Sequence, residues 1–153
     1  MTRLLSLLML LAPLLTYGQN YINLNKYDIK KIFNQTSEKK KIIKYKFANN
    51  KNNLIVTEGG SKKCQVKYEF SFDSVGKCNK EKIIFFCDTC MQHKLNPILG
   101  FQQYQWRKIN ENQYISRYED RLMIELSPEK NVPSFSILRM DWTRILYDIL
   151  TDK

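Results

Sequence analysis

Residues 85–93, FFCDTCMQH, hold the densest chemistry in the chain: Cys87 and Cys90 three apart, followed by His93, the single histidine among 153 residues. Three chemistries use such a set. Two thiols spaced C-x-x-C at the start of a helix can exchange disulfides, because unpaired N–H groups there favour a thiolate. Cysteines with a nearby imidazole can hold zinc. Oxidised in pairs, cysteines staple a small exported domain.

Cys64 and Cys78 complete the inventory of four cysteines, and four thiols allow three connectivities. The segment CQVKYEFSFDSVGKCNKEKIIFF (64–86) reads as a hairpin. Val66, Tyr68, Phe70 and Phe72 alternate with Lys67, Glu69 and Ser71, the pattern of a sheet with one buried face. Gly76 suits the left-handed position of a tight turn. If Asp73 faces Lys77, opposite residues sum to 150, Cys78 faces Phe72, and Cys64 lies at the far end opposite Phe86. Eight residues of strand span roughly 26 Å, whereas a disulfide needs Cα atoms within about 7 Å. That register excludes Cys64–Cys78, and Cys78–Cys87 falls on the same ground. The first expectation is a structural disulfide from Cys64 to Cys87 or Cys90, with Cys78 apart, buried as a small apolar group or paired with the following helix.

The alternative is redox. A strand that ends in CDTC (87–90) at a helix start resembles the local arrangement of thioredoxin-like proteins, and NVPSF (131–135) is similar to the proline-led strand that faces their motif. The resemblance implies Cys87 as attacking thiol, Cys90 as resolving thiol and Pro133 as the shaper of a substrate groove. It covers about fifteen residues, and the antiparallel hairpin before the motif departs from the parallel order of that family. Zinc is disfavoured: Cys87 to His93 is about 9 Å of helical rise, so one ligand must leave the helix. No metal and no cofactor is expected. With one histidine and neither G-x-S-x-G nor H-E-x-x-H, other catalytic constellations are unsupported, and the chain reads as non-enzymatic.

The elements around these residues follow from spacing. NKYDIKKIFNQ (25–35) predicts a helix, with Ile29, Ile32 and Phe33 on one face and Asn25 as N-cap. Strands are predicted over 41–47, 54–58, 64–72 and 82–86. A helix follows over 89–99, capped by Asp88 or Thr89, with Pro97 and Gly100 near its end. Four more strands are predicted over 103–109, 113–118, 121–126 and 134–140. A last helix, 142–150, is capped by Asp141 and striped by Trp142, Ile145, Leu146 and Ile149. The expected class is α+β: about eight antiparallel strands in two four-strand groups, three short helices, order α-β4-α-β4-α, helices on one face. In element order alone this is similar to folds of tandem helix-plus-meander units such as the beta-lactamase inhibitory protein, and no residue carries across.

Residues 1–18 carry a basic start, an apolar run LLSLLMLLAPLL of twelve, and small residues Thr16 and Gly18. Twelve residues are too few to span a bilayer as a helix, and the pattern is that of a secretory signal peptide. The expectation is a single domain over 19–153, secreted or periplasmic. The formal charge is +10, which favours anionic partners such as envelope polymers or acidic proteins. Nucleic acid is disfavoured, since no reading strand pair or recognition helix occurs. The candidate surface is Trp106, Arg107, Lys108 and Arg117, interleaved with Tyr104, Tyr114 and Tyr118; core packing with snorkelling cations is the competing explanation.

Overall fold

The computed structural model describes residues 20–40, 43–59, 65–127 and 132–152. The signal-peptide reading of 1–18 and the position of Cys64 lie outside the described residues. The elements run α1 (Lys26–Lys39), β1 (Lys44–Asn49), β2 (Asn53–Gly59), β3 (Val66–Phe72), β4 (Cys78–Phe85), α2 (Asp88–Leu99), β5 (Arg107–Asn110), β6 (Gln113–Ile115), β7 (Leu122–Leu126), β8 (Ser134–Arg139) and α3 (Arg144–Thr151). All eight strands join one antiparallel sheet in the order β1-β2-β3-β4-β8-β7-β6-β5. The α+β class, the antiparallel sheet and the three helices match the sequence reading.

Period-two alternation builds the core. On one face, Leu54, Phe70, Glu81, Ile137 and Ile124 lie side by side across β2, β3, β4, β8 and β7, each no more than 2% exposed. Val56, Tyr68, Ile83 and Phe135 form the next row. Ile29 and Phe33 of α1 and Leu95 and Ile98 of α2 pack on this face. Phe33 stacks on Tyr21 at 5.3 Å and meets Tyr45, Tyr68 and Phe70 edge-on. Asn25 caps α1 as its side-chain type dictates, Oδ1 accepting from Asp28 N at 2.9 Å. The helix runs four residues past the predicted end, because nothing in Thr36–Lys39 breaks it and Lys39 suits the last-turn carbonyls.

Two expectations about the helices are corrected. The helices do not share one face. Ile115 stands opposite Met123, on the side away from the Tyr114–Ile124 pair, and both pack with Trp142 and Tyr147. So α3 lies on the second face, over the β5–β7 end. The cap of α3 is Thr143, not Asp141, with Oγ1 accepting from Leu146 N at 3.2 Å. The predicted stripe is split accordingly. Trp142 is buried ahead of the helix, Tyr147 turns inward and donates its hydroxyl to Ser116 O at 3.0 Å, while Ile145, Leu146 and Ile149 are 74%, 45% and 63% exposed. Both faces of this short helix are apolar, so spacing alone could not choose between them.

The β3–β4 turn follows prediction at its tip. Asp73 N donates to Lys77 O at 2.9 Å, Phe72 faces Cys78, and Gly76 has φ +78°. One residue later the register shifts: Ser71 faces Lys80, and every pair down to Val66–Phe85 sums to 151 rather than 150. Asn79 is the extra residue of a β-bulge.

Candidate functional site

The strand-to-helix junction after β4 closes on itself. Cys87 and Cys90 are bonded to each other, with Cα atoms 5.3 Å apart. The bridge expected from Cys64 to one of these sulfurs therefore has no open valence at this end. Cys87, rather than Asp88 or Thr89, is the N-cap of α2, and its Sγ accepts from Cys90 N at 3.1 Å. A sulfur reaches that N–H as a shorter oxygen cap would, and the i, i+3 geometry that makes the cap also makes the bond. Pro133 lies at the neighbouring strand end, where its carbonyl accepts from Phe85 N at 2.8 Å. Both cysteines are partly exposed, and His93 is exposed on α2. Among the described residues no three His, Cys, Asp or Glu side chains converge on a metal position.

Cys78 is a free thiol in the core, fully buried. Burial, followed by the nearby Glu81 carboxylate, pushes it up to about 12. It packs as a small apolar group. Glu81 itself is buried among apolar rows, 1% exposed, and accepts from Tyr21 N at 3.3 Å. Burial lifts its carboxyl to about 7, opposed by that N–H and by the Lys94 charge. Strand spacing at 82–86 gave no hint of an inward carboxylate.

The structure does not bring Trp106, Arg107, Lys108 and Arg117 onto one surface. Arg107 ends the row containing Ile115, and Lys108 ends the row containing Tyr114, so the two point to opposite faces of β5. Lys108 meets Glu111 at 3.3 Å. Arg117 is engaged by both oxygens of Asp120, at 2.9 and 3.3 Å. Trp106 is half-buried against Tyr104, 5.5 Å between centroids. A shallow depression beside the β3–β4 turn is lined by Lys26, Tyr27, Lys51 and Phe72, but the Lys26 ammonium is spent on the carbonyls of Asn50 and Lys51.

A different basic surface emerges from the register. On the face away from α1 and α2, Lys46, Thr57, Lys67 and Ile84 form one row across β1–β4. Ala48, Ile55, Glu69 and Lys82 form the next, and Asn53, Ser71 and Lys80 the third. Lys44 joins them two residues from Lys46. Five lysines thus share this face of β1–β4 with one carboxylate, Glu69, which pairs with Lys67 at 2.6 Å. The apolar residues between them are Ile55 and Ile84, with Leu138 of β8 alongside Lys80. Among the described residues no helix covers this half of the face. Single strands do not reveal such a patch, because each lysine alone is an ordinary outward residue; only the pairing gathers them.

No helix among the described residues is long and apolar enough to cross a membrane. No protein-family model, curated protein or solved structure matches this chain.

Proposed function

We propose that this chain is an exported, non-enzymatic interaction module that takes an anionic partner, an envelope polymer or an acidic protein, on the lysine-lined face of β1–β4. The observation that carries the reading is the register: Lys44 and Lys46 of β1, Lys67 of β3, and Lys80 and Lys82 of β4 stand on one face of the sheet with a single carboxylate, Glu69, among them. Strands about 4.8 Å apart and about 3.4 Å of rise per residue put each lysine about 7–10 Å from its nearest neighbour on the face, close to one Debye length at physiological salt, so neighbouring potentials overlap and attract anions, more strongly as salt falls. Ile55, Ile84 and Leu138 supply apolar contact beneath the charged heads. The rows offer no aromatic stacking platform, which disfavours single-stranded nucleic acid. Export to the periplasm or beyond belongs to the same reading, as does a plan of two like halves, α1 with β1–β4 and α2 with β5–β8, meeting at the β4–β8 seam. The test is retention on a heparin-like resin. The wild-type chain is expected to elute earlier as salt rises, and Lys80→Glu/Lys82→Glu to lose retention; retention unchanged by salt or by those substitutions refutes the reading.

A second reading rests on the Cys87–Cys90 bond. A sulfur that already accepts a helix N–H is stabilised as a thiolate on reduction, so Cys87 would attack and Cys90 resolve, with Pro133 at the neighbouring strand end, hydrogen-bonded to Phe85. Turnover of a model disulfide that is lost in Cys87→Ser supports thiol–disulfide exchange; a bond that resists mild reductant argues for a staple.

A further inference from the structure

We infer that two copies of this chain dock face to face, each laying the outer ridge of α3 on the lysine rows of the other. The inference rests on the lysine face proposed above and names its partner. Three observations carry it. First, Ile145, Leu146 and Ile149 form an exposed apolar ridge on α3, although the helix is already anchored inward through Tyr147. Three large aliphatics facing water on an eight-residue helix are a contact surface without a contact. Second, the charges are complementary. The segment 141–152 carries Asp141, Asp148 and Asp152 against one cation, Arg144, in a chain of net charge +10. Arg144 and Asp148 neutralise each other at 3.0 Å, leaving two exposed carboxylates to flank the ridge. An acidic, apolar helix fits a surface of lysines with isoleucines between them, and the same acidity opposes docking on an anionic membrane.

Third, the shape closes. Both patches lie on the same face of the sheet, at opposite ends: α3 over β5–β7, the lysine rows over β1–β4, with β8 between. Among the described residues the face is therefore a step, raised by one helix, about 10 Å, on one half and without a helix on the other. A two-fold axis parallel to the strands, placed above β8, brings the raised half of one copy over the lower half of its partner. The two α3 helices then form one shared layer between two sheets, each contacting its own sheet inward and the partner's outward. Such an isologous contact is closed and stops at two. The precedent lies within the chain, since the same sheet face already accepts the inner side of α3.

The experiment is sedimentation of the exported chain at about 100 µM, at low salt and at about 0.5 M. The expected result is a dimer at low salt that weakens as salt rises. Ile145→Asp/Ile149→Asp, at positions exposed in the monomer, should weaken association by about tenfold or more while leaving the unfolding midpoint within a few degrees. The decisive arm is a charge swap. Lys80→Glu/Lys82→Glu and Asp141→Lys/Asp152→Lys should each be monomeric alone and dimeric when mixed, because both contacts become complementary only in the heterodimer. A wild-type monomer at low salt, or swapped variants that stay monomeric when mixed, overturns the inference. If the wild type is monomeric yet retained on a heparin-like resin through Lys80 and Lys82, the lysine face stands and its partner is not a second copy. If it neither dimerises nor is retained, both readings fall.

Discussion

Glu81 is the place where a pH measurement tests the packing most directly. It sits in the middle of a row whose other members are Leu54, Phe70, Ile137 and Ile124, and its carboxyl titrates at about 7 instead of the ordinary 4.5, chiefly through burial. The groups around it are Tyr21 from the N-terminal segment, Tyr68 from β3, Cys78 from its own strand and Lys94 from α2. A raised carboxyl binds a proton in the folded state that the unfolded chain has released. Its contribution is fully present below the unfolded value, near 4.5, and is lost as pH rises through about 7. A shift of that size corresponds to about 3 kcal/mol between pH 4.5 and pH 8. Glu81→Gln keeps an oxygen for Tyr21 N and removes the ionisation. The variant should match the wild type near pH 4.5 and exceed it by up to about 3 kcal/mol at pH 8, on the order of 10 °C in the unfolding midpoint for a domain this size. Urea unfolding followed by Trp106 and Trp142 fluorescence, without reductant, at both pH values is the assay. An advantage for Glu81→Gln that is the same at pH 4.5 and pH 8, or absent at both, refutes the burial argument.

Asp73 behaves in the opposite sense. Its carboxylate accepts from Lys77 N, Arg139 and Val75 N, and these bonds hold it below the ordinary range. Asp73→Asn should lower the unfolding midpoint at pH 7, with the difference vanishing as pH falls through the folded-state value; a pH-independent difference counts against it. Cys78, buried and pushed up to about 12, should resist a thiol reagent at pH 8 until the chain unfolds, and Cys78→Ser should cost about 1–3 kcal/mol through an added buried hydroxyl. Prompt labelling of Cys78 in the native protein would contradict its placement. Gly76→Ala, at φ +78° with open space around the site, should cost about 1 kcal/mol, read in denaturant; a neutral effect would mean that the turn relaxes.

Much of this architecture is legible in the residues because local signals agree with the global fold. Val66 to Phe72 alternate without interruption, and Asp73 and Gly76 specify the turn that follows. Asn25 is followed by residues whose apolar spacing is helical, so α1 is visible at its start; its end is not, because lysines and polar residues neither continue an apolar face nor stop a helix. α3 shows the limit of periodicity. Its apolar residues occupy two faces, and the sheet beneath Tyr147 decides which is inside. The Cys87–Cys90 bond is obscured by a different cause. Placing Cys64 beside it requires carrying a hairpin register eight residues from its turn, while the bond that forms is the most local one available, a single helical turn.

The same register hides the lysine face from the residues alone. With pairs summing to 150 throughout, Lys80 and Lys82 would point into the core and Glu81 outward. Inserting Asn79 reverses the parity of β4: Glu81, Ile83 and Phe85 turn inward, and both lysines turn out. The two arrangements bury comparable apolar bulk, Ile83 with Phe85 against Ile84 with Phe86. They differ in charge, since the unbulged hairpin buries two ammonium groups and the bulged one buries a single carboxyl that can protonate near neutrality. An unpaired buried ion costs several kcal/mol, so the bulge wins although it leaves Asn79 Oδ1 buried without a hydrogen-bond partner. The comparison needs only residue types: the ionic cost of each register puts Lys80 and Lys82 beside Lys67 on the open face and Glu81 in the core.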